Sequence, residues 1–164
     1  MEPRIETLFE KKLIGKKLTM SLVHNRTGEL WKMFMPKLNE IPDKRTSDLI
    51  SVQLYPPAYF ENFSPATEFE KWATAEVNNT TLVPDGMESV LIPAGLYAVF
   101  NYVGLSSDTR IFQHIFGTWL PASGYDLDDR PHFEVLGDRY KNNDPESEEE
   151  IWIPIRHNID LKTG

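Results

Sequence analysis

The distribution of apolar and polar residues predicts an α+β fold: two βαββ units related by a pseudo-twofold axis, with a ligand cleft between them. Three observations predict it. Strand-length runs are bounded by turn residues. Two stretches carry apolar residues at spacings of three and four. Each of those stretches follows one strand and precedes others, so the order strand, helix, strand, strand occurs twice in 164 residues. That length, with 40% apolar and 26% charged residues, suits one domain, taken as residues 1–160. The halves share element order without evident identity, and a cleft between two such halves is the natural place for a ligand.

Each element has its own warrant. LIGKKLTMSLV (13–23) leans to strand, with Gly15 as a bulge or a point of close backbone approach, and it ends in the polar cluster HNRTG. Thr27 can cap a helix whose Leu30, Trp31, Phe34, Met35 and Leu38 share a face, and Pro36 kinks it or ends it near Met35. LISVQLY (49–55) is a strand stopped by Pro56 and Pro57. In FEKWATAEV (69–77), Phe69, Lys71, Ala73, Ala75 and Val77 alternate with Glu70, Trp72, Thr74 and Glu76. MESVLIPAGLYAVFNYVG (87–104) supplies a strand on each side of a break at 93–95. Ser106 with Asp108 begins the second helix, which holds Ile111, Phe112, Ile115, Phe116 and Trp119, and Pro121 and Gly124 end it. HFEVLGDRY and EEIWIPI are strands joined by the polar turn KNNDPESE.

Composition excludes several chemistries. With no cysteine there is no disulfide framework, thiolate metal site or thiol nucleophile. His24, His114, His132 and His157 stand apart without a second ligand at metal spacing, so no metal and no cofactor are expected. Phosphate-cradling glycine loops and a GxSxG elbow are lacking. The net charge of −8 is uneven: residues 1–50 carry ten Lys or Arg against seven acids, and the remainder seven against eighteen. That balance disfavours polyanions and suits a cationic or aromatic small molecule. The charged start and the lack of a long apolar run give the expectation of a cytoplasmic protein that engages no membrane.

The most informative segment is EIWIPI (150–155). Alternation places Ile151, Ile153 and Ile155 on one face and Glu150, Trp152 and Pro154 on the other, where a carboxylate beside an aromatic forms a cation-recognition pair. The plainer reading is an exposed glutamate ending an acidic run. Aligning the halves by their third strands sets Trp72 opposite Glu150, both toward the cleft. Trp119 either reaches that cleft or packs in the core. Tyr97 shares a strand face with Val99, its ring in the core and its hydroxyl on a polar partner. Glu134 is the secondary candidate carboxylate, with surface exposure as the alternative. The expected site is therefore Glu150 at the bottom of the cleft, walled by Trp72, Trp152 and Trp119.

PAGLYAVFNYVG, the helix into WLPASGY, PHFEVLG and EEIWIPI, in that order, resemble the GyrI-like small-molecule-binding domain, also called the bacterial transcription-activator effector-binding domain. The likeness is strongest over about 85–156; the first half carries it in element order and in FEKWATAEV. It implies the duplicated βαββ fold, a central glutamate matching Glu150, and aromatic walls. Some relatives bind DNA through an amino-terminal helix-turn-helix region. Here about a dozen residues precede the first expected strand, so direct nucleic-acid binding is not expected. The resemblance allows three roles: a stand-alone, multidrug-type domain binding an aromatic, cationic or amphipathic molecule; a hydrolase of cyclopropanoid electrophiles with Glu150 as its catalytic residue; or an interaction protein with a partner such as gyrase. A carboxylate with a raised pKa suits the hydrolase, and one kept ionised suits a cationic ligand.

Overall fold

The computed structural model describes residues 1–158, so the domain end expected at 160 lies outside the described residues. The first βαββ unit consists of β2 (Lys11–Met20), α1 (Thr27–Phe34), β3 (Lys44–Leu54) and β4 (Phe69–Val77). The second consists of β6 (Gly95–Val103), a helical segment, β8 (His132–Leu136) and β9 (Glu148–His157). Three further strands, β1 (Arg4–Leu8), β5 (Glu88–Ile92) and β7 (Tyr125–Leu127), flank these units. The sheet order is β1-β6-β9-β8-β3-β4-β2-β5, with β7 also on β9. From either edge inward it reads flanking strand, first, third and second strand of a unit, which is the pseudo-twofold arrangement expected. The seam is the antiparallel pair β3 and β8, with Val52 opposite Phe133.

Short connections curl this sheet. β1 lies at one edge yet is followed after only Phe9 and Glu10 by β2, which sits beside the other edge, and Pro93 and Ala94 join β5 to β6 in the reverse sense. Two residues span less than about 11 Å. The edges must therefore approach, and the result is a half-barrel. Its inside is filled by one apolar cluster holding Leu13, Val52, Trp72, Tyr97, Phe133 and Trp152. Its outside carries two separate cores, one under α1 around Leu30, Phe34 and Ala73, the other under the second helical segment around Phe100, Ile115 and Ile153.

Local departures from the sequence reading have local causes. Arg4–Leu8, read as a charged lead, is a strand paired to β6. Thr27 is the first residue of α1 and not its cap: Arg26 holds that place without a side-chain cap bond, and the Thr27 hydroxyl is directed to the Met20 sulfur. α1 stops at Phe34 and continues as a 3-10 turn, Met35–Glu40, with Pro36 at its start. The second helical segment begins at Arg110, not Ser106, because Asp108 receives the Arg110 backbone N–H as a turn residue ahead of it. It runs as α2 (Arg110–His114), a π-helical turn (Ile115–Trp119) and α3 (Leu120–Ser123). Pro121 lies within α3, and its missing N–H interrupts the ladder next to the widened turn. Gly124, at φ 80°, ends the segment in the left-handed conformation. Gly15 is a point of close approach: a Cβ there would overlap the Ala73 carbonyl of β4.

Candidate ligand site at the mouth of the half-barrel

A cavity of about 630 Å³ opens at one end of the half-barrel. It is bounded by β1 and the two residues after it, the start of β2, Arg45, the end of β4 and Trp152. The volume is that of a drug-sized ligand pocket. Strand alternation brings Trp152 here: on β9 it faces inward with Glu150 while Ile151, Ile153 and Ile155 pack under the helices. Trp152 stacks on Phe133 at 5.1 Å and meets Tyr97 edge-on at 5.8 Å, which fixes the indole against a rigid wall.

Glu150, two residues before Trp152 on the same strand face, is not itself among the residues that bound this cavity, and its side chain is 36% exposed. One carboxylate oxygen accepts the Trp152 indole N–H at 3.1 Å, and the other is held by Arg4 at 2.6 Å. The Arg4 guanidinium lies 6.0 Å from the Trp152 ring centroid and also reaches Glu6 at 2.6 Å. A second Glu-x-Trp sequence on β4 has the same local form. The Trp72 indole donates to Glu70 at 2.8 Å, while the Lys17 ammonium sits 5.3 Å from the Trp72 ring centroid and 3.7 Å from the Glu70 carboxylate. The cavity's most enclosed acid is Glu76, paired with Lys11 at 3.2 Å and with Arg45 at 3.8 Å.

The expected site residues divide between the two faces of the sheet. Trp72, Tyr97, Glu150 and Trp152 lie on the inner face. Trp72 on β4 and Glu150 on β9 are separated along the sheet by β3 and β8. Three strand spacings amount to about 14 Å measured along the curled sheet. Tyr97 is fully buried behind Trp152; its hydroxyl donates to the Pro131 carbonyl at 2.7 Å and Arg130 lies over its ring, so it supports the wall without lining the cavity. Trp119 does not reach the site. It packs on the outer face, edge-on to Phe100 at 5.3 Å and stacked with Tyr125. Glu134 also faces outward, under the helices, with one carboxylate oxygen sealed from solvent and lacking a hydrogen-bond partner among the described residues. Burial, reinforced by Glu149 and opposed by Lys71, lifts its pKa to about 7.

Sequence reasoning missed Arg4 and Glu6, since charges at every second position masked the β1 alternation. Glu76 was visible in the FEKWATAEV pattern, on the Trp72 face, but no partner singled it out.

The chain belongs to the GyrI-like small molecule binding domain family, whose model matches residues 1–156. It is 29% identical over 148 residues to the transcriptional regulator BrlR of Pseudomonas aeruginosa, covering 87% of this chain and 51% of that protein. The chain thus spans about half the length of that curated relative. Among solved structures it is similar to SAV2435 bound to tetraphenylphosphonium, with a TM-score of 0.71 at 14% identity over 95% of this chain and 94% of that one. The EcmrR C-terminal domain gives the same TM-score, 0.71, at 15% identity, over 96% of this chain and 98% of that domain. At these identities the structural likeness shows the fold. No helix among the described residues is long and apolar enough to cross a membrane.

Proposed function

We propose that the chain captures a lipophilic aromatic cation at the mouth of the half-barrel, with the Trp152 face as the stacking surface and Glu150 as the counter-charge. The observation that carries this reading is the Glu150–Trp152 pair, whose indole bounds a drug-sized cavity and whose two members are already met by the planar guanidinium of Arg4. A cation over an indole contributes about 0.5–2 kcal/mol, and a charge-assisted contact about 1.5–3 kcal/mol. Capture is favoured over hydrolysis because both Glu150 carboxylate oxygens are already engaged, one by Arg4 at 2.6 Å and the other by the Trp152 N–H at 3.1 Å. Phe9, 86% exposed at the β1–β2 connection on the cavity wall, offers further apolar surface.

Because SAV2435 was solved with tetraphenylphosphonium, that ion is the natural probe. Titrating it against tryptophan fluorescence, beside neutral triphenylphosphine oxide, tests the reading. Saturable one-to-one quenching by the cation, at least about tenfold tighter than by the neutral compound, is the expected result. Equal affinity for both would contradict it. The transcriptional role named for BrlR is a property of a protein twice this length. For this chain the reading extends to ligand sensing alone, in the cytoplasm, without direct contact to nucleic acid.

A further inference from the structure

We propose that Arg4 is an internal competitor for the ligand site, a resident cation that an incoming organic cation must displace, and so a determinant of which cations the site accepts. The inference rests on the ligand reading above and assigns a role to β1, a strand that the βαββ duplication does not require. Arg4 makes three side-chain contacts in different directions: Nε to Glu6 at 2.6 Å, Nη1 to the Asn101 side-chain carbonyl at 3.1 Å, and Nη2 to Glu150 at 2.6 Å. Its guanidinium carbon is also 6.0 Å from the Trp152 ring centroid. A planar, delocalised and weakly hydrated cation thus has one side toward an indole and an edge toward a carboxylate, as an aromatic cation would.

The arrangement permits exchange. β1 is five residues long, lies at the sheet edge and, among the described residues, pairs only with β6. The Arg4 side chain is itself 39% exposed, so its movement uncovers little. When Nη2 leaves Glu150, the guanidinium keeps Glu6 on its own strand and Asn101 on β6, and the Glu150 carboxylate keeps the Trp152 N–H. No charge is stranded in an apolar interior. Selectivity follows from what the newcomer must bring. A small hydrated ammonium ion offers Glu150 no more than Arg4 does and must shed its water first. A lipophilic aromatic cation adds apolar area for the cavity wall, which the guanidinium lacks. Arg4 therefore raises the threshold against common hydrophilic cations and leaves large apolar ones able to bind.

The test compares native protein with Arg4→Gln and Arg4→Lys, each first checked for an unchanged far-ultraviolet spectrum and a cooperative melt. Dissociation constants are measured for tetraphenylphosphonium, tetramethylammonium and neutral triphenylphosphine oxide. The expected result is that Arg4→Gln binds tetraphenylphosphonium roughly tenfold tighter than native, gains measurable affinity for tetramethylammonium, and leaves the neutral compound within about twofold. Arg4→Lys should fall between them, since an ammonium cannot span Glu6, Asn101 and Glu150 together. Unchanged or weaker cation affinity in a folded Arg4→Gln protein overturns the competitor role while leaving the ligand site standing. If neither native protein nor Arg4→Gln prefers the cation to the neutral compound, both readings fall.

Discussion

His132 and Glu134, neighbours but one on β8, give the clearest pH signatures in the molecule. His132 is buried against Tyr55 and stacked on Phe60, and burial lowers its pKa to about 3. The folded state thus holds it neutral while the unfolded chain protonates it near 6.5, so it costs nothing above that pH and destabilises progressively as pH falls toward 3. Glu134 acts in the opposite sense. Its raised pKa, about 7, leaves the fold unpenalised below the unfolded value near 4.5 and destabilises it as pH rises through 7. Urea unfolding of Glu134→Gln should show a gain on the order of 2 kcal/mol at pH 8 and no gain at pH 4. His132→Phe should remove much of the acid-limb loss between pH 6 and 4, leaving stability that declines with rising pH. Parallel native and variant profiles would show that these environments are misassigned.

Among the elements, β2 and β4 depend on Gly15 for their close approach. A methyl group there meets the Ala73 carbonyl, part of the paired strand and unable to swing aside. Gly15→Ala is expected to cost at least about 3 kcal/mol, or to prevent folding, by chemical denaturation. This close approach was legible in the sequence, as one of two readings of a glycine inside a strand. So were α1, read as kinked or ended near Met35, β4 nearly to the residue, and the strands on either side of 93–95, because each has a local period or a local breaker. β1 and β7 were not. β1 reads Arg-Ile-Glu-Thr-Leu, and its charges are paired by β6 and β9, a compensation that sequence does not display. Trp119 was undecidable for a similar reason: helical spacing places it on a face, but only the packing of Phe100 and Tyr125 shows which side of the sheet that face meets.

At the scale of the whole molecule, the two units are joined through β3 and β8 and through one inner cluster to which both contribute. Phe133 lies at that junction, fully buried, stacked on Trp152 and edge-on to Tyr97. Phe133→Ala should cost about 3–5 kcal/mol. Since the cavity wall shares that cluster, unfolding should be one transition, seen at the same urea concentration by tryptophan fluorescence and by circular dichroism. Two separated transitions would mean that the halves fold independently. The duplication itself was legible from element order. The closure of the sheet was not, because it depends on two-residue connections between strands that pair far apart in the chain.

Isothermal titration of tetraphenylphosphonium and of triphenylphosphine oxide into native protein and Glu150→Gln measures whether Glu150 with Trp152 recognises cationic charge. The side chain is partly exposed and the substitution keeps its shape and a hydrogen-bonding oxygen for the Trp152 N–H, so the fold should persist. In Glu150→Gln the cation should lose about tenfold or more in affinity and the neutral compound less than about twofold. A Glu150→Gln protein that binds the cation as tightly as native would contradict charge recognition by Glu150.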